Sequence, residues 1–529
     1  MCGFVVDTGS PLPTPVFEQA LARIAHRGPD QTSISMPDAL IKLGFVRLAI
    51  MDTSLAGQQP FVSDDGFRFA LCNGEIYNHE AMRKITPNHE YQSGSDCEVL
   101  LPLYQQFGIE GMLDRLDGEY AFTLYDAALK KFYAARDPIG IRPMFYGFEN
   151  ESGALMFASE AKALHPLCSD VYPFPPGHYF DGELLRPFID VTATTSIIDS
   201  EAQALKHIRE TLIEAVRKRL DADVPLGALL SGGLDSSLVC AIATDVLRKP
   251  LTTFAVGLTE APIDIKYARQ VSEFIGSDHH EVYFTMDEVL PLLSDLIYQL
   301  ETWDITTVRA SVGMYLVCRY VREKTPIRVL LTGEVSDELF GYKYTDFAPS
   351  PEAFQLESQK RVRELYAYDV LRADRCIAAH GLEARVPFSD QAFVQAVMAI
   401  DPALKMNRHH TGKWLLRQAF ADLQLLPEAI LWREKAAFSD AVGHGLVEQL
   451  KAYAERTYSD QDVQRAAQRY SYKSPISKEA LLYRDLFEQH FPERAGWIPD
   501  FWLPNQSWQH CNVTDPSARL LPNYGLSGS

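Results

Sequence analysis

The residues best suited to gripping a phosphate chain lie at 225–237, PLGALLSGGLDSS. The apolar run 226–230 stops at Ser231-Gly232-Gly233, and Ser236-Ser237-Leu238-Val239-Cys240-Ala241 then opens a helical pattern. A short apolar run halted by paired glycines predicts a parallel-sheet strand, followed by a helix packed back on that sheet. At such a junction the glycines let backbone N–H groups close on an anion, and the helix start adds partial positive charge. Ser231, Ser236 and Ser237 can donate to the same oxygens. The lysine of a Walker A loop is missing, so the cradle is of another kind. Asp235 would repel phosphate unless a divalent metal lay between them.

Three other stretches of the second half carry candidate chemistry. Val329-Leu330-Leu331-Thr332-Gly333-Glu334-Val335-Ser336-Asp337-Glu338 repeats the strand, glycine and loop plan, now with three carboxylates. Residues 301–311 bring Thr306 and Arg309 close together in sequence, and Lys435 stands in the run 431–440. In the first half, Cys2 directly follows Met1. Were Met1 removed, Cys2 would carry a thiol and an α-amine able to act as its local base, a self-contained nucleophile. Arg47 is embedded in an apolar strand pattern, Asn73-Gly74 follows an alternating one, and Ser95 or Asp96 opens a helix. Each has a plainer reading: Arg47 as a strand charge, Asn73-Gly74 as a hairpin turn, Asp96 as a helix cap.

The 529 residues, 47% hydrophobic and 23% charged, suit a globular protein of two to four domains. A formal net charge of −20 argues against nucleic acid or an anionic membrane as partner, so anionic substrates must be held by local positive charge. Eight scattered cysteines show no zinc spacing and fit a reducing compartment. No signal peptide is evident, the longest apolar stretch is broken by glycines and Asp235, and the cytoplasm is the expected location. The Pro-rich piece 172–177 and the Thr/Ser/Asp stretch 191–200 mark a boundary near 190. Strands at 118–126 and 131–137 predict a hairpin, 201–220 an amphipathic helix, and 251–258 the next parallel strand. The segment after 498 is expected to fray.

In chain order, Met1-Cys2-Gly3-Phe4, His26-Arg27-Gly28-Pro29-Asp30, Arg47-Leu48-Ala49-Ile50, Asn73-Gly74-Glu75-Ile76-Tyr77-Asn78 and Ser95-Asp96-Cys97-Glu98 resemble the class II glutamine amidotransferase domain. The loop 231–237 resembles that of the ATP pyrophosphatases. With Gly381-Leu382-Glu383-Ala384-Arg385-Val386-Pro387-Phe388, the whole up to about Trp497 resembles the bacterial and plant glutamine-hydrolysing asparagine synthetases. The resemblance implies an α/β and α+β protein: an N-terminal nucleophile αββα sandwich over 2–190, then an α/β parallel-sheet domain over 201–497, with 498–529 as a tail. It implies glutamine, aspartate and ATP as substrates, with Mg²⁺, and leaves room for a homodimer. Cys2 would form a thioester and release ammonia, with Asn73 and Gly74 as oxyanion hole. Arg47, Leu48, Ala49, Ile50, Met51, Glu75 and Asp96 would line the glutamine site. Leu229, Ser231, Gly232, Gly233, Asp235, Ser236, Val256, Thr306, Thr332 and Gly333 would bind ATP, with Asp235 and Asp337 on Mg²⁺. Thr306 and Arg309 would stabilise the acyl-adenylate region, Lys435 would contact the departing phosphates, and Glu334 would serve formation and then amination of the β-aspartyl-AMP intermediate. Ammonia would need an apolar internal passage.

The sequence departs from that pattern at three places. Val335 replaces the middle glycine of G-E-G-S-D-E, one glycine is missing after Gly341, and Ala436-Ala437 stand where Glu-Gln is common. A β-branched Val335 at positive φ would be strained and would narrow the acceptor pocket. The departures leave two further readings: a paralogue amidating another carboxylate, as β-lactam synthetases use this scaffold, and a regulatory binding protein with an inactive synthetase site. Intact Cys2 disfavours the cyclising enzymes, and the phosphate loop disfavours sugar-phosphate amidotransferases.

Overall fold

The computed structural model describes residues 1–194, 196–259, 264–434 and 444–523. The chain divides into two compact units. The first comprises 1–191 with two short segments, 221–225 and 378–384; the second takes the rest from 192 onward. Both short segments fall within the range expected of the second domain, and hydrogen bonds explain why they do not belong there. Asp223 Oδ2 accepts the Asp52 amide at 2.7 Å, and Leu382 O accepts the Met1 α-amine at 2.9 Å.

The first unit holds two six-stranded antiparallel sheets. In one, Gly3–Asp7 lies between Leu155–Ala158 and Lys42–Arg47; in the other, Arg68–Ile76 pairs with Gly118–Asp126, which forms a hairpin with Lys131–Arg136. Side chains alternate along a strand, so each sheet has two distinct faces. Phe4, Val6, Leu43 and Phe45 meet Phe69, Leu71, Ala121 and Ala134 in one apolar core between the sheets. The opposite face of the second sheet, with Ala70, Cys72 and Phe122, packs on Leu100, Leu103 and Met112 of the helix Leu100–Leu113. A side-chain carbon at Gly44 would touch Phe17 and Leu21 of the helix Thr14–Ala22, which covers the outer face of the first sheet. The layers are helix, sheet, sheet, helix.

The second unit is built on parallel strands in the order Asp278–Phe284, Thr252–Leu258, Leu226–Leu229, Val329–Leu331. Leu226 pairs with Val329, Gly227 with Leu330 and Ala228 with Leu331, so the two strands expected to end in chemistry are neighbours with their tips side by side. Leu226–Leu229 feeds the helix Leu234–Leu247. Before it comes the helix Glu201–Lys218, whose buried Ala204, Ile208, Leu212 and Ala215 recur at helical spacing. From 498 to 523 the chain does not fray: Trp502, Trp508, Cys511, Ala518 and Leu521 are buried. Their apolar area offsets the ordering entropy that polar and proline-rich composition alone would leave unmet.

Candidate functional site

Each unit carries one constellation. In the first, period two places Cys2 with Phe4 and Val6, and Asn73 with Phe69 and Leu71, on the faces that meet between the sheets. Cys2 packs at the edge of that core, its thiol donating to Leu48 O at 3.6 Å. Burial pushes the thiol up to about 11 and brings the Met1 α-amine down to about 5. Both shifts follow from removing a charged form from water.

The surrounding loops are tied to one another. Arg47 donates to Gln31 Oε1 at 2.9 Å and Ser54 O at 2.7 Å, and also to the carbonyl of Asp52. Asp52 Oδ2 accepts the Gly94 amide at 2.8 Å, which joins that loop to Ser95 and Asp96. Asp96 is buried, accepts the Ile76 amide at 2.6 Å, and has its acidity weakened by desolvation. Leu48, Ile50 and Glu75 are buried, with Ala49 and Met51 half-buried beside them. Asp96 therefore bonds the segment after Gly74 and opens a short 3-10 turn, Asp96–Val99, where the sequence suggested a helix cap. Gly74 sits at φ +158, and a side-chain carbon there would lie 2.2 Å from Glu119 O, which excludes any other residue. Asn73 stands apart: its Oδ1 and Nδ2 are both buried without a hydrogen-bond partner. An amide with both ends unmet in the interior costs about 1–3 kcal/mol per group, which a bound ligand can recover.

In the second unit a cavity of about 200 Å³ opens where the two strands end. Leu229, Ser231, Gly233, Asp235, Ser236 and Val256 line one side of it. Thr306, Arg309, Thr332, Gly333, Glu334 and Asp337 line the other. The loops touch through backbone: a side-chain carbon on Gly333 would lie 2.8 Å from Ser236 N. Ser231 and Ser236 hydroxyls bond each other at 2.9 Å, and Ser231 Oγ accepts the Gly233 amide at 3.4 Å. Gly232 does not line the cavity; it supplies the turn at φ +71, and its carbonyl accepts Arg433 Nη1 at 3.1 Å. Ser237 also lies outside, fully buried one helical step past Ser236.

The carboxylates proposed for a metal meet a cation supplied by the chain. Lys413 Nζ lies 2.8 Å from Asp235 Oδ1, 2.5 Å from Asp337 Oδ1 and 2.9 Å from Ser336 Oγ. Two carboxylates and a hydroxyl thus converge on one positive charge. Nothing in the sequence near Gly412-Lys413-Trp414 singles this lysine out, because its partner Asp235 is 178 residues away. Glu334 is similarly engaged: Arg372 Nη2 lies 2.5 Å from it and 2.8 Å from Asp369. Glu338, buried beside Asp369 and Asp337, is held well above the usual carboxylate range, chiefly by desolvation. Arg309 is not a solitary phosphate hand. Its Nε and Nη2 grip Glu479 at 2.8 and 2.6 Å, and Nη1 reaches Asp515 at 3.0 Å. Lys413, Arg372 and Asp369 escaped sequence reasoning, as did the segment around Asp515; Glu338 is among the three carboxylates of the loop read from sequence, where it received no role. Lys435 and Ala436-Ala437 lie outside the described residues.

Among the described residues no helix is long and apolar enough to cross a membrane. Residues 1–175 match the family model of the glutamine amidotransferase domain, and 207–355 with 346–516 match that of asparagine synthase. The chain is 42% identical over 564 residues to the glutamine-hydrolysing asparagine synthetase of Cricetulus griseus, covering 99% of each chain. It is 40% identical over 570 residues to that of Homo sapiens, again covering 99% of each. A solved glutamine phosphoribosylpyrophosphate amidotransferase from B. subtilis is 17% identical, with a TM-score of 0.32 over 54% of this chain and 81% of that one.

Proposed function

Because the chain belongs to the glutamine-hydrolysing asparagine synthetases, we propose how its own residues divide the reaction. It takes nitrogen from glutamine and, driven by ATP, amidates aspartate. In the first unit Cys2 attacks the side-chain amide of glutamine, forming a thioester and releasing ammonia. Water then frees glutamate. With Met1 excised, the α-amine of Cys2 takes the thiol proton, which answers the penalty that burial places on the thiolate. The Asn73 side-chain amide and the Gly74 N–H stabilise the oxyanion. Arg47, whose guanidinium is already fixed by carbonyls, pairs with the α-carboxylate of glutamine, and Asp96 with its α-ammonium. The observation that carries this half is Asn73, a buried amide with neither end partnered.

In the second unit ATP lies across the paired strand tips. Ser231, Gly233 and Ser236 face the phosphates, and the Leu229 and Val256 backbones face the base. Mg²⁺ suits the donor set at Asp235, Asp337 and Ser336, all oxygens already gathered around one cation. When bound, it supplies the positive charge that a departing pyrophosphate needs. Lys413, which contacts the same carboxylates, would with Mg²⁺ bound be able to turn toward the phosphates. Glu334, oriented by Arg372, accepts a proton from ammonia as it attacks the aspartyl adenylate. All eight cysteines are unpaired, which supports a reducing, cytoplasmic setting; light scattering tests for a homodimer.

Cys2→Ala should abolish glutamine-dependent asparagine formation, by about 10⁴-fold or more for loss of a nucleophile, while ammonia-dependent formation persists. Equal loss of both refutes the division of roles. Aspartate should also be the carboxylate, within a panel, that best releases pyrophosphate from ATP.

A further inference from the structure

The segment 501–523 forms part of the adenylation cavity wall. Pro516, Ser517 and Ala518 line the cavity alongside Thr306 and Arg309. The segment is strapped down at three places. Asp304 Oδ1 accepts the Trp502 amide at 2.7 Å, while its Oδ2 caps the helix Ile305–Lys324 that carries Thr306 and Arg309. Asn523 donates to Lys343 O at 2.5 Å and to Asp346 Oδ2 at 3.1 Å, just beyond the carboxylate loop. Between these anchors, Asp515 accepts from Arg309 Nη1 at 3.0 Å and from its own Ser517 amide at 2.9 Å, and it pairs with Lys451. Arg519 adds a contact to Glu448 at 3.1 Å.

Two carboxylates on Arg309 do different work. Glu479 takes the guanidinium edge made by Nε and Nη2, which sets its plane. Asp515 takes Nη1, leaving one N–H on each of Nη1 and Nη2 from the five the group carries. The Asp515 contact ties a pocket-lining cation to a pocket-lining loop, so disrupting it moves both. We propose that Asp515 is a positioning residue of the adenylation site: it holds Arg309 in register and closes the 515–518 loop so that water is kept from the acyl adenylate. The inference rests on the ligase reading given above. If the loop loosens, water attacks the adenylate carbonyl, the acyl–phosphate C–O bond breaks, and AMP leaves as aspartate is regenerated. ATP is then consumed with no asparagine made.

The test uses the full-length chain with aspartate, MgATP and ammonium, measuring pyrophosphate and asparagine in the same samples. The parent should give one pyrophosphate per asparagine. Asp515→Asn should release pyrophosphate in clear excess over asparagine and raise the KM for ATP about tenfold, the scale of one charge-assisted hydrogen bond. Asp515→Glu should bring the ratio back toward one, which distinguishes positioning from loss of fold. Should Asp515→Asn be too unstable to purify, Ser517→Pro removes the amide that orients the Asp515 carboxylate and should uncouple in the same sense. A one-to-one ratio with unchanged KM in the variant overturns the inference. Absence of aspartate-dependent pyrophosphate from the parent overturns the ligase reading instead.

Discussion

The two constellations treat buried polar groups in opposite ways. In the proposed glutamine site the group put forward as decisive is neutral: Asn73 has both amide ends unmet, and burial pushes the thiol up. In the synthetase site the decisive groups are charged, and each charge has a partner from the chain. Lys413 stands between Asp235 and Asp337, Arg372 between Glu334 and Asp369, and Arg309 between Glu479 and Asp515. A neutral group can be left unpaired in the interior for about 1–3 kcal/mol, whereas an unpaired buried charge costs several times more. On the proposed reading, a site for glutamine would be preformed and open, and one for ATP and Mg²⁺ would be preformed and closed on itself, with ligands exchanging ion pairs as they enter.

The sharpest way to break this comparison is to remove the Lys413 ammonium. Lys413→Met takes away the ammonium that lies between Asp235 and Asp337, and should destabilise the second unit by about 3–5 kcal/mol in the absence of metal. Millimolar Mg²⁺ should restore much of the melting temperature of the variant while moving the parent little, because a ligand stabilises only where it finds a site to occupy. Thermal melts with and without Mg²⁺ read this directly. If the variant melts with the parent in EDTA, the lysine is not neutralising those carboxylates.

Asn73→Ala makes the contrasting case in the first unit. It should lower glutaminase kcat by about 10²–10³-fold, as loss of one oxyanion donor does. Its melting temperature should stay level or rise, since the substitution removes two buried polar atoms that had no partners. A fall as large as that of Lys413→Met would mean that Asn73 has a structural role and the neutral site is not waiting for a ligand.

What the sequence disclosed follows the same division. The residues proposed for glutamine could be gathered from sequence only through the resemblance, since each alone has a plainer reading; the strands put Cys2 in line with Phe4, and Asn73 with Leu71. The phosphate strand and its glycines were legible by themselves, since a strand that ends in Gly232-Gly233 has few other uses. Lys413, Arg372 and Asp515 were not. Their significance comes from partners 178, 38 and 206 residues away, and local composition around them is ordinary. The order of 498–523 is hidden in the sequence because prolines and polar residues mask a few well-placed aromatics, Trp502 and Trp508 among them. The segments 221–225 and 378–384 were assigned to the wrong unit because hydrogen bonding, which sequence does not display, decides where a short connector rests.

The smallest expected effect concerns Val335, which sets the two ways of storing energy against each other at one position. It lies at φ 80, ψ −22, ahead of the helix Ser336–Phe340, with its side chain buried among the lining of the synthetase cavity. A β-branched residue in the left-handed region is strained by about 1–3 kcal/mol. Burial of its isopropyl group returns about 1.5 kcal/mol or more. Val335→Ala discards the burial yet keeps a side-chain carbon at positive φ, so it should destabilise by about 1 kcal/mol. Val335→Gly discards the same burial and relieves the strain, and should therefore be as stable as the parent or slightly more so. Glycine above alanine reverses the order found at nearly every position of ordinary backbone, where glycine is the worse by about 0.5–1 kcal/mol. Denaturant melts of the two variants give the sign. If alanine is the more stable, the loop adopts ordinary backbone at 335, and strain has no part in shaping the wall beside Glu334.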